Sequence, residues 1–266
     1  MPTATNDGAR LAYERSGPPD ADSVVFVEGL GYGRWMWRWQ RAALGNYDTI
    51  VPDNRGTGDS DTPEGPYTIG EMAADLAAVL DDAGVDSAHV VGASMGGMIA
   101  QQFALDHGRA ESLTLLCTTP GGPEAVPTPE ETQQRIFDVP EEYDERERRR
   151  YKMAPAMTDT FVGEHDDLLE RIVDWRIESD AGEQALAWQA AAVEAFDVHD
   201  RLGDITAPTL LVHGTADRVV PVENGRLLAD GLPDVEYLEL DGAPHLLFIE
   251  RADAVNEALR GFLADV

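Results

Sequence analysis

The stretch His89-Val90-Val91-Gly92-Ala93-Ser94-Met95-Gly96-Gly97-Met98-Ile99-Ala100 constrains this chain more than any other. It opens as a short apolar run, the pattern of a buried strand. It passes through Gly-Ala-Ser-Met-Gly into Met-Ile-Ala-Gln-Gln-Phe-Ala-Leu, which has the composition of a helix. A serine in a G-x-S-x-G turn between strand and helix sits where the backbone bends sharply, and a strained conformation is expected there. Gly92 and Gly96 remove the side chains that would collide where strand and helix approach each other. The hydroxyl then stands above the carboxyl edge of a sheet, and the free N–H groups at the start of the helix favour negative charge beside it. The pattern alone also fits a glycine-rich turn with an incidental serine. Its place between strand and helix makes Ser94 a candidate nucleophile.

The rest of the chain supplies a sheet around this turn. Asn6-Asp7-Gly8-Ala9 between short alternating segments predicts a hairpin. Ser23–Val27 reads as a buried strand running into the glycine-rich loop Glu28-Gly29-Leu30-Gly31-Tyr32-Gly33. Residues 34–44, with Trp35, Trp37 and Trp39, predict a helix, and Tyr47–Pro52 the next strand. Met72, Leu76, Val79 and Leu80 repeat at helical spacing over Ile69–Ala83, with Gly84 as the stop. Strands are also predicted over Leu113–Cys117, Pro208–Gly214 and Val235–Leu240, and a helix closes the chain over Ala254–Leu263. Strands alternating with helices predict an α/β fold: a mainly parallel sheet with helices on both faces.

Between residues 124 and 200 the character changes to helical stretches without a convincing strand. Leu168, Leu169, Ile172, Val173 and Ile177 make one amphipathic helix, and Leu186, Trp188, Ala192 and Val193 suggest another. The dense charge run Glu141–Lys152 reads as a solvated helix face. The expectation is a core of residues 1–123 and 201–266, with 124–200 inserted as a helical cap.

A serine hydroxyl needs a base, and a histidine base needs an acid to fix its tautomer and stabilise its cation. Asp217 follows the strand ending at Gly214, and His245 follows the strand ending at Leu240. Both loops open on the edge of the sheet that carries Ser94, giving the order Ser94, Asp217, His245.

On these residues the chain resembles the α/β-hydrolases over nearly its whole length. The matching segments are Val27-Glu28-Gly29-Leu30-Gly31, Asp53-Asn54-Arg55-Gly56-Thr57-Gly58-Asp59-Ser60, the turn at Ser94, Gly214–Pro221 and Gly242-Ala243-Pro244-His245. Within that superfamily it is similar to the carboxylesterase, enol-lactonase and non-haem haloperoxidase-like branch. Related dehalogenases and epoxide hydrolases carry aspartate where this chain has Ser94. The resemblance implies an oxyanion hole from the backbone N–H groups of Leu30 and Met95, no cofactor, and a small ester or lactone as substrate. It also leaves open C–C bond hydrolysis of ring-cleavage products by the same triad, and a non-catalytic ligand-binding role. Most relatives carry His-Gly where this chain has Glu28-Gly29. A charged carboxylate aimed at a developing anion would oppose it, so either Glu28 turns away and hydrogen-bonds the loop, or burial raises its pKa. The first is the expectation.

Trp35, Trp37, Trp175, Trp188 and Phe196 are candidates for the substrate pocket, and each is equally an ordinary core aromatic. His213 reads as structural, and His107, His165 and His199 as surface residues. No histidine stands at metal-ligand spacing with a partner acid, so no metal is expected. The loop Glu28–Gly33 lacks the third glycine of a dinucleotide fingerprint. The lone cysteine, Cys117, cannot form an internal disulfide and reads as a small core residue.

Charge excludes a further class. Fifty acidic residues face twenty basic ones, a formal net charge of −30, and Lys152 is the one lysine. A nucleic-acid binder needs the opposite sign. The regular apolar runs argue against disorder, which leaves an acidic surface on a folded protein, a composition resembling that of proteins from salt-loaded halophilic cytoplasm. No run approaches the roughly 20 apolar residues of a membrane span, and the N-terminus lacks the features of a signal peptide. The expected location is the cytoplasm, the expected partner a small molecule. The oligomeric state is left open.

Overall fold

The computed structural model describes all 266 residues, apart from the side chain of Phe137. The chain begins with strands β1 (Thr3–Asn6) and β2 (Ala9–Ser16), paired antiparallel across Asp7 and Gly8. Both turn residues take left-handed backbone, with φ of 46° and 83°, as a two-residue hairpin requires. β3 (Ser23–Val27) leads through the glycine-rich loop to a 3-10 turn over Arg34–Trp37 and helix α1 (Arg38–Ala43). The helix predicted over 34–44 therefore starts as a tighter turn. β4 (Asp48–Pro52), α2 (Ile69–Ala83), β5 (Ala88–Ala93), α3 (Met95–His107) and β6 (Ala110–Leu116) follow. Thr68 and Glu71 form a reciprocal capping box at the start of α2, and Gly84 ends that helix in left-handed conformation.

The chain next forms α4 (Glu130–Phe137), α5 (Glu145–Met153), α6 (Asp159–Glu164), α7 (Asp166–Ser179) and α8 (Glu183–Glu194). β7 (Thr209–Gly214), α9 (Val222–Gly231), β8 (Val235–Leu240), α10 (Leu247–Glu250) and α11 (Ala252–Asp265) complete it. The eight strands form one sheet in the order β1-β2-β4-β3-β5-β6-β7-β8, parallel from β4 to β8. β6 and β7 are neighbours in this sheet although α4–α8 lie between them in sequence.

The alternation of strand side chains divides the core into two layers. Val25 and Val27 of β3 join Met72, Leu76 and Leu80 of α2 and Ile99 and Phe103 of α3 on one face. Val24 and Phe26 join Trp37, Phe248, Leu259 and Leu263 on the other. Trp37 is fully buried, with ring centroids 5.1 Å from Phe26 and 5.4 Å from Phe248. It is a core residue and not a pocket wall, which corrects its place among the pocket candidates. The strand expected over Leu113–Cys117 begins earlier, at Ala110, and ends at Leu116. Cys117 leaves the ladder with a φ of 47°. Among the described residues no helix is long and apolar enough to cross a membrane.

Candidate active site

Because β3, β5, β7 and β8 run parallel, their carboxyl ends share one edge of the sheet. That edge carries the Glu28–Gly33 loop, Ser94, Asp217 and His245. Ser94 has φ 55° and ψ −119°, a conformation that costs a non-glycine residue on the order of 1–3 kcal/mol. The approach of strand and helix demands it. A Cβ on Gly92 would overlap the Gly96 carbonyl, and one on Gly96 would overlap the Val27 carbonyl. A Cβ on Gly29 would lie 3.5 Å from Ser94 Cβ, so the glycine-rich loop rests against the serine.

The Ser94 hydroxyl makes no hydrogen bond among the described residues. Neither the Leu30 nor the Met95 N–H has an acceptor among them. Met95 is the first residue of α3, where a helix leaves its N–H free.

His245 Nδ1 bonds Asp217 Oδ2 at 2.7 Å. The other Asp217 oxygen accepts from the N–H groups of Val219 at 2.8 Å and Val220 at 2.9 Å. The Asp217 side chain is fully buried, and burial alone would raise its pKa. The imidazoles of His245, bonded to it, and of His213 beside it hold it well below the usual carboxylate range instead. The acid and the serine flank the end of β6. Ser94 N–H bonds the Leu116 carbonyl at 2.9 Å, and the Cys117 sulfur lies within 4.8 Å of an Asp217 oxygen.

His213, read from sequence as structural, is fully buried beside the acid. Its Nε2 donates to the Val220 carbonyl at 2.9 Å and stands 3.5 Å from Asp217 Oδ2. Cys117, His213 and Asp217 are close enough to share an ion. Their chemistry is committed elsewhere: the carboxylate to His245, the imidazole N–H to Val220, and the thiol, pushed up by burial and by Asp217, to its own proton.

The expectation for Glu28 is corrected. Its side chain is fully buried, and neither carboxyl oxygen has a hydrogen-bond partner among the described residues. Burial, with Asp53 nearby adding to it, raises its pKa well above the usual range. Asp53 is itself pushed up to about 6 by burial, against the pull of Arg34, with which it is paired. Burial without a hydrogen-bond partner stands where the bond to the loop was expected.

The remaining aromatic candidates separate. Trp35 and Trp175 lie 6.0 Å apart and line a cavity of about 310 Å³ with Arg34, Arg38, Asp53 and Glu178. Neither Ser94 nor His245 lines that cavity. Trp188, half-buried on α8, packs 5.4 Å from Tyr67, and Phe196 is buried against Gly121. The segment between α5 and α6 meets the loops that carry Asp217 and His245: Arg218 Nη2 donates to the Met157 carbonyl at 2.7 Å, and Leu246 N–H to the Ala156 carbonyl at 2.8 Å.

The family model described as alpha/beta hydrolase fold matches residues 22–252. RutD of Azorhizobium caulinodans, named as a carbamate hydrolase, is 34% identical over 270 residues, covering 100% of this chain and 99% of that protein. BpoC of Mycobacterium tuberculosis, named as a non-haem bromoperoxidase, is 32% identical, covering 96% of this chain and 98% of that one. The crystal structure of the enol-lactonase from Burkholderia xenovorans LB400 superposes with a TM-score of 0.87 at 29% identity, covering 99% of this chain and 100% of the other.

Proposed function

The chain belongs to the α/β-hydrolase fold family, and on that footing we propose that it is a serine hydrolase cleaving small carboxylic esters or lactones through an acyl-enzyme. The observation that carries this reading is the 2.7 Å bond between His245 Nδ1 and Asp217, on the sheet edge where Ser94 is held in its strained turn. With Nδ1 protonated and bound to the acid, Nε2 is left as the base. Ser94 Oγ attacks the carbonyl as His245 Nε2 takes its proton. The oxyanion that forms accepts from the Leu30 and Met95 N–H groups. His245 then protonates the leaving alcohol, and water activated by the same nitrogen releases the acid. In the free enzyme the serine–histidine bond is often long and tightens with substrate. Residues 124–200 serve as a cap over this edge, with Trp188 among the side chains available to the substrate. The enol-lactonase likeness supports the lactone branch.

The similarity to RutD favours a second reading, hydrolysis of a carbamate. Attack on that carbonyl would use the same groups. A fluorophosphonate probe and a panel of p-nitrophenyl esters, lactones and carbamates test both readings. Ser94 should be labelled in the wild type and Ser94→Ala should be silent. Turnover that survives in Ser94→Ala or His245→Ala would exclude the acyl-enzyme route, and carbamate turnover exceeding that of every ester and lactone would favour the second reading over the first.

A further inference from the structure

The loop that carries Leu30 is held less by the sheet than by the helices inserted after β6. The Gly31 N–H donates to Gln189 Oε1 at 2.8 Å, across 158 residues of chain. Gln189 Nε2 donates onward to the Arg55 carbonyl at 2.9 Å. At the junction of α7 and α8, Asp180 Oδ1 accepts from the Gly33 N–H at 3.2 Å and from Trp35 Nε1 at 2.8 Å. Ala181 N–H returns a bond to the Gly31 carbonyl at 2.9 Å. The other Asp180 oxygen accepts from Arg176 Nε at 2.7 Å, and the Arg176 guanidinium lies 4.5 Å over the Tyr32 ring. Gln189 and the Asp180 side chain are both fully buried.

From the core side the restraints are fewer and weaker. Gly29 N–H faces the Met36 sulfur at 3.4 Å, a poor acceptor, and Asn54 reaches the Glu28 carbonyl at 3.2 Å. The Glu28 side chain contributes no hydrogen bond. Sterics complete the fit, since a Cβ on Gly31 would lie 2.6 Å from Leu186 Cδ1 of α8. Gly31, with a φ of 76°, follows Leu30 directly. Two buried polar side chains from one insertion therefore hold the Leu30–Gly31 and Tyr32–Gly33 peptides, the first of them at the N–H next after that of Leu30.

We infer that Gln189 and Asp180 are positioning residues that set the oxyanion donor Leu30 against Ser94, so the inserted helices complete the catalytic site as well as cover it. The inference rests on the serine hydrolase reading. A donor acts mainly where charge develops, in the transition state, and displacement of about 1 Å costs on the order of a hundredfold in rate. Loss of the tether therefore lowers kcat far more than it raises KM.

The test compares Gln189→Met, similar in length but unable to bond either partner, with Asp180→Ala and the conservative Asp180→Asn, which keeps Oδ1 as an acceptor. Arg146→Ala is the control. Arg146 ties α5 to α7 through exposed ion pairs with Glu170 at 2.7 Å and Asp174 at 2.5 Å, and touches no part of the loop. Readouts are kcat and KM for p-nitrophenyl acetate, inhibition by an alkyl boronic acid that forms a tetrahedral adduct on Ser94, the rate of fluorophosphonate labelling, and the melting temperature. Gln189→Met and Asp180→Ala should lose about tenfold or more in kcat with KM within about threefold, and should weaken boronate inhibition in parallel. Asp180→Asn should recover most of the loss, and Arg146→Ala should keep wild-type kcat. The inference is overturned if Gln189→Met and Asp180→Ala keep kcat within about twofold of wild type, or if Arg146→Ala reproduces their loss at an equal drop in melting temperature. Should Gln189→Met not fold, the Asp180→Ala and Asp180→Asn pair decides alone. A wild type that takes no label at Ser94 overturns the serine reading and this inference together, whereas a labelled wild type with unaffected variants removes the inference alone.

Discussion

Asp217 meets His245 Nδ1 with one carboxylate oxygen, at 2.7 Å, and spends the other on two backbone N–H groups of its own loop. The acid is thus fixed in orientation before it orients the imidazole. Asp217→Asn keeps the shape but can present an amide N–H to Nδ1, which favours the tautomer with Nδ1 bare and Nε2 protonated. The base is then lost. The expected fall in kcat is on the order of 10⁴-fold in the nearest analogous case, read with p-nitrophenyl acetate at pH 7–8. A loss of less than about tenfold would remove Asp217 from this role.

Ser94 offers a prediction about stability. Its φ of 55° is costly for any residue with a Cβ, whatever the side chain does. Ser94→Ala removes the hydroxyl and keeps the cost. Ser94→Gly removes both, although it adds freedom to the unfolded chain. Both variants should be inactive, and the glycine variant should be the more stable by on the order of 1 kcal/mol in urea unfolding. Equal stability of the two would show that the elbow stores no strain at this residue.

Glu28 sets a pH dependence opposite to that of most carboxylates. Its folded pKa is raised, by burial first and by Asp53 second. For an acid shifted in this direction, the folded state binds the proton more tightly than the unfolded state does. Its contribution to stability is therefore complete below the unfolded value of 4.5 and is lost as pH rises towards the folded value. Glu28→Gln has no proton to lose. Its melting temperature relative to wild type should be flat at pH 4 and below and should climb as pH rises above the ordinary carboxylate range. A difference independent of pH between 4 and 9 would mean that Glu28 is ionised at no cost, against its burial.

The parts of this site differ in how far sequence exposes them, for physical reasons. β3, β5 and β7 are buried on both faces, so they read as unbroken apolar runs. Ser94 is legible because a sharp strand-to-helix turn tolerates so few residue types, and Asp217 and His245 because each follows a strand in fixed order. The departure at Glu28 is visible, but its consequence is not. Whether a donor reaches a buried carboxyl depends on Asn54, Asp53 and Arg34, which the chain brings together only on folding. Gln189 leaves no trace at all. Apolar spacing picks out Leu186 and Trp188 on α8, whereas the face that is buried carries Ala185, Gln189 and Ala192. A polar residue enters that face because its partners, Gly31 and Arg55, lie 158 and 134 residues away in sequence. Trp35 and Trp37 part for another reason. Neighbours in one tight turn point into different surroundings, one to the cavity beside Trp175 and the other to the core under Phe26.

Salt provides the last prediction, and two opposing effects decide its sign. Many arginines are paired: Arg146 and Arg150 of α5 both reach Glu170 of α7, and Arg226 pairs with Glu239. These pairs are exposed, each adds little to stability, and salt weakens them. Pairing every one of the twenty basic residues with an acid would still leave thirty carboxylates without a partner. Their mutual repulsion acts over about 30 Å at 0.01 M salt and only about 3 Å at 1 M, so screening removes far more repulsion than attraction. We therefore propose a halophilic protein whose stability and activity rise with KCl into the molar range. Thermal melts in 0.1 M and 2–3 M KCl measure it directly, with sodium sulfate as a companion because a strongly hydrated anion also strengthens apolar burial. A rise in KCl as well as in sulfate assigns the gain to screening. A rise in sulfate alone assigns it to the core, and a melting temperature unchanged or lowered in molar KCl would remove the halophilic reading.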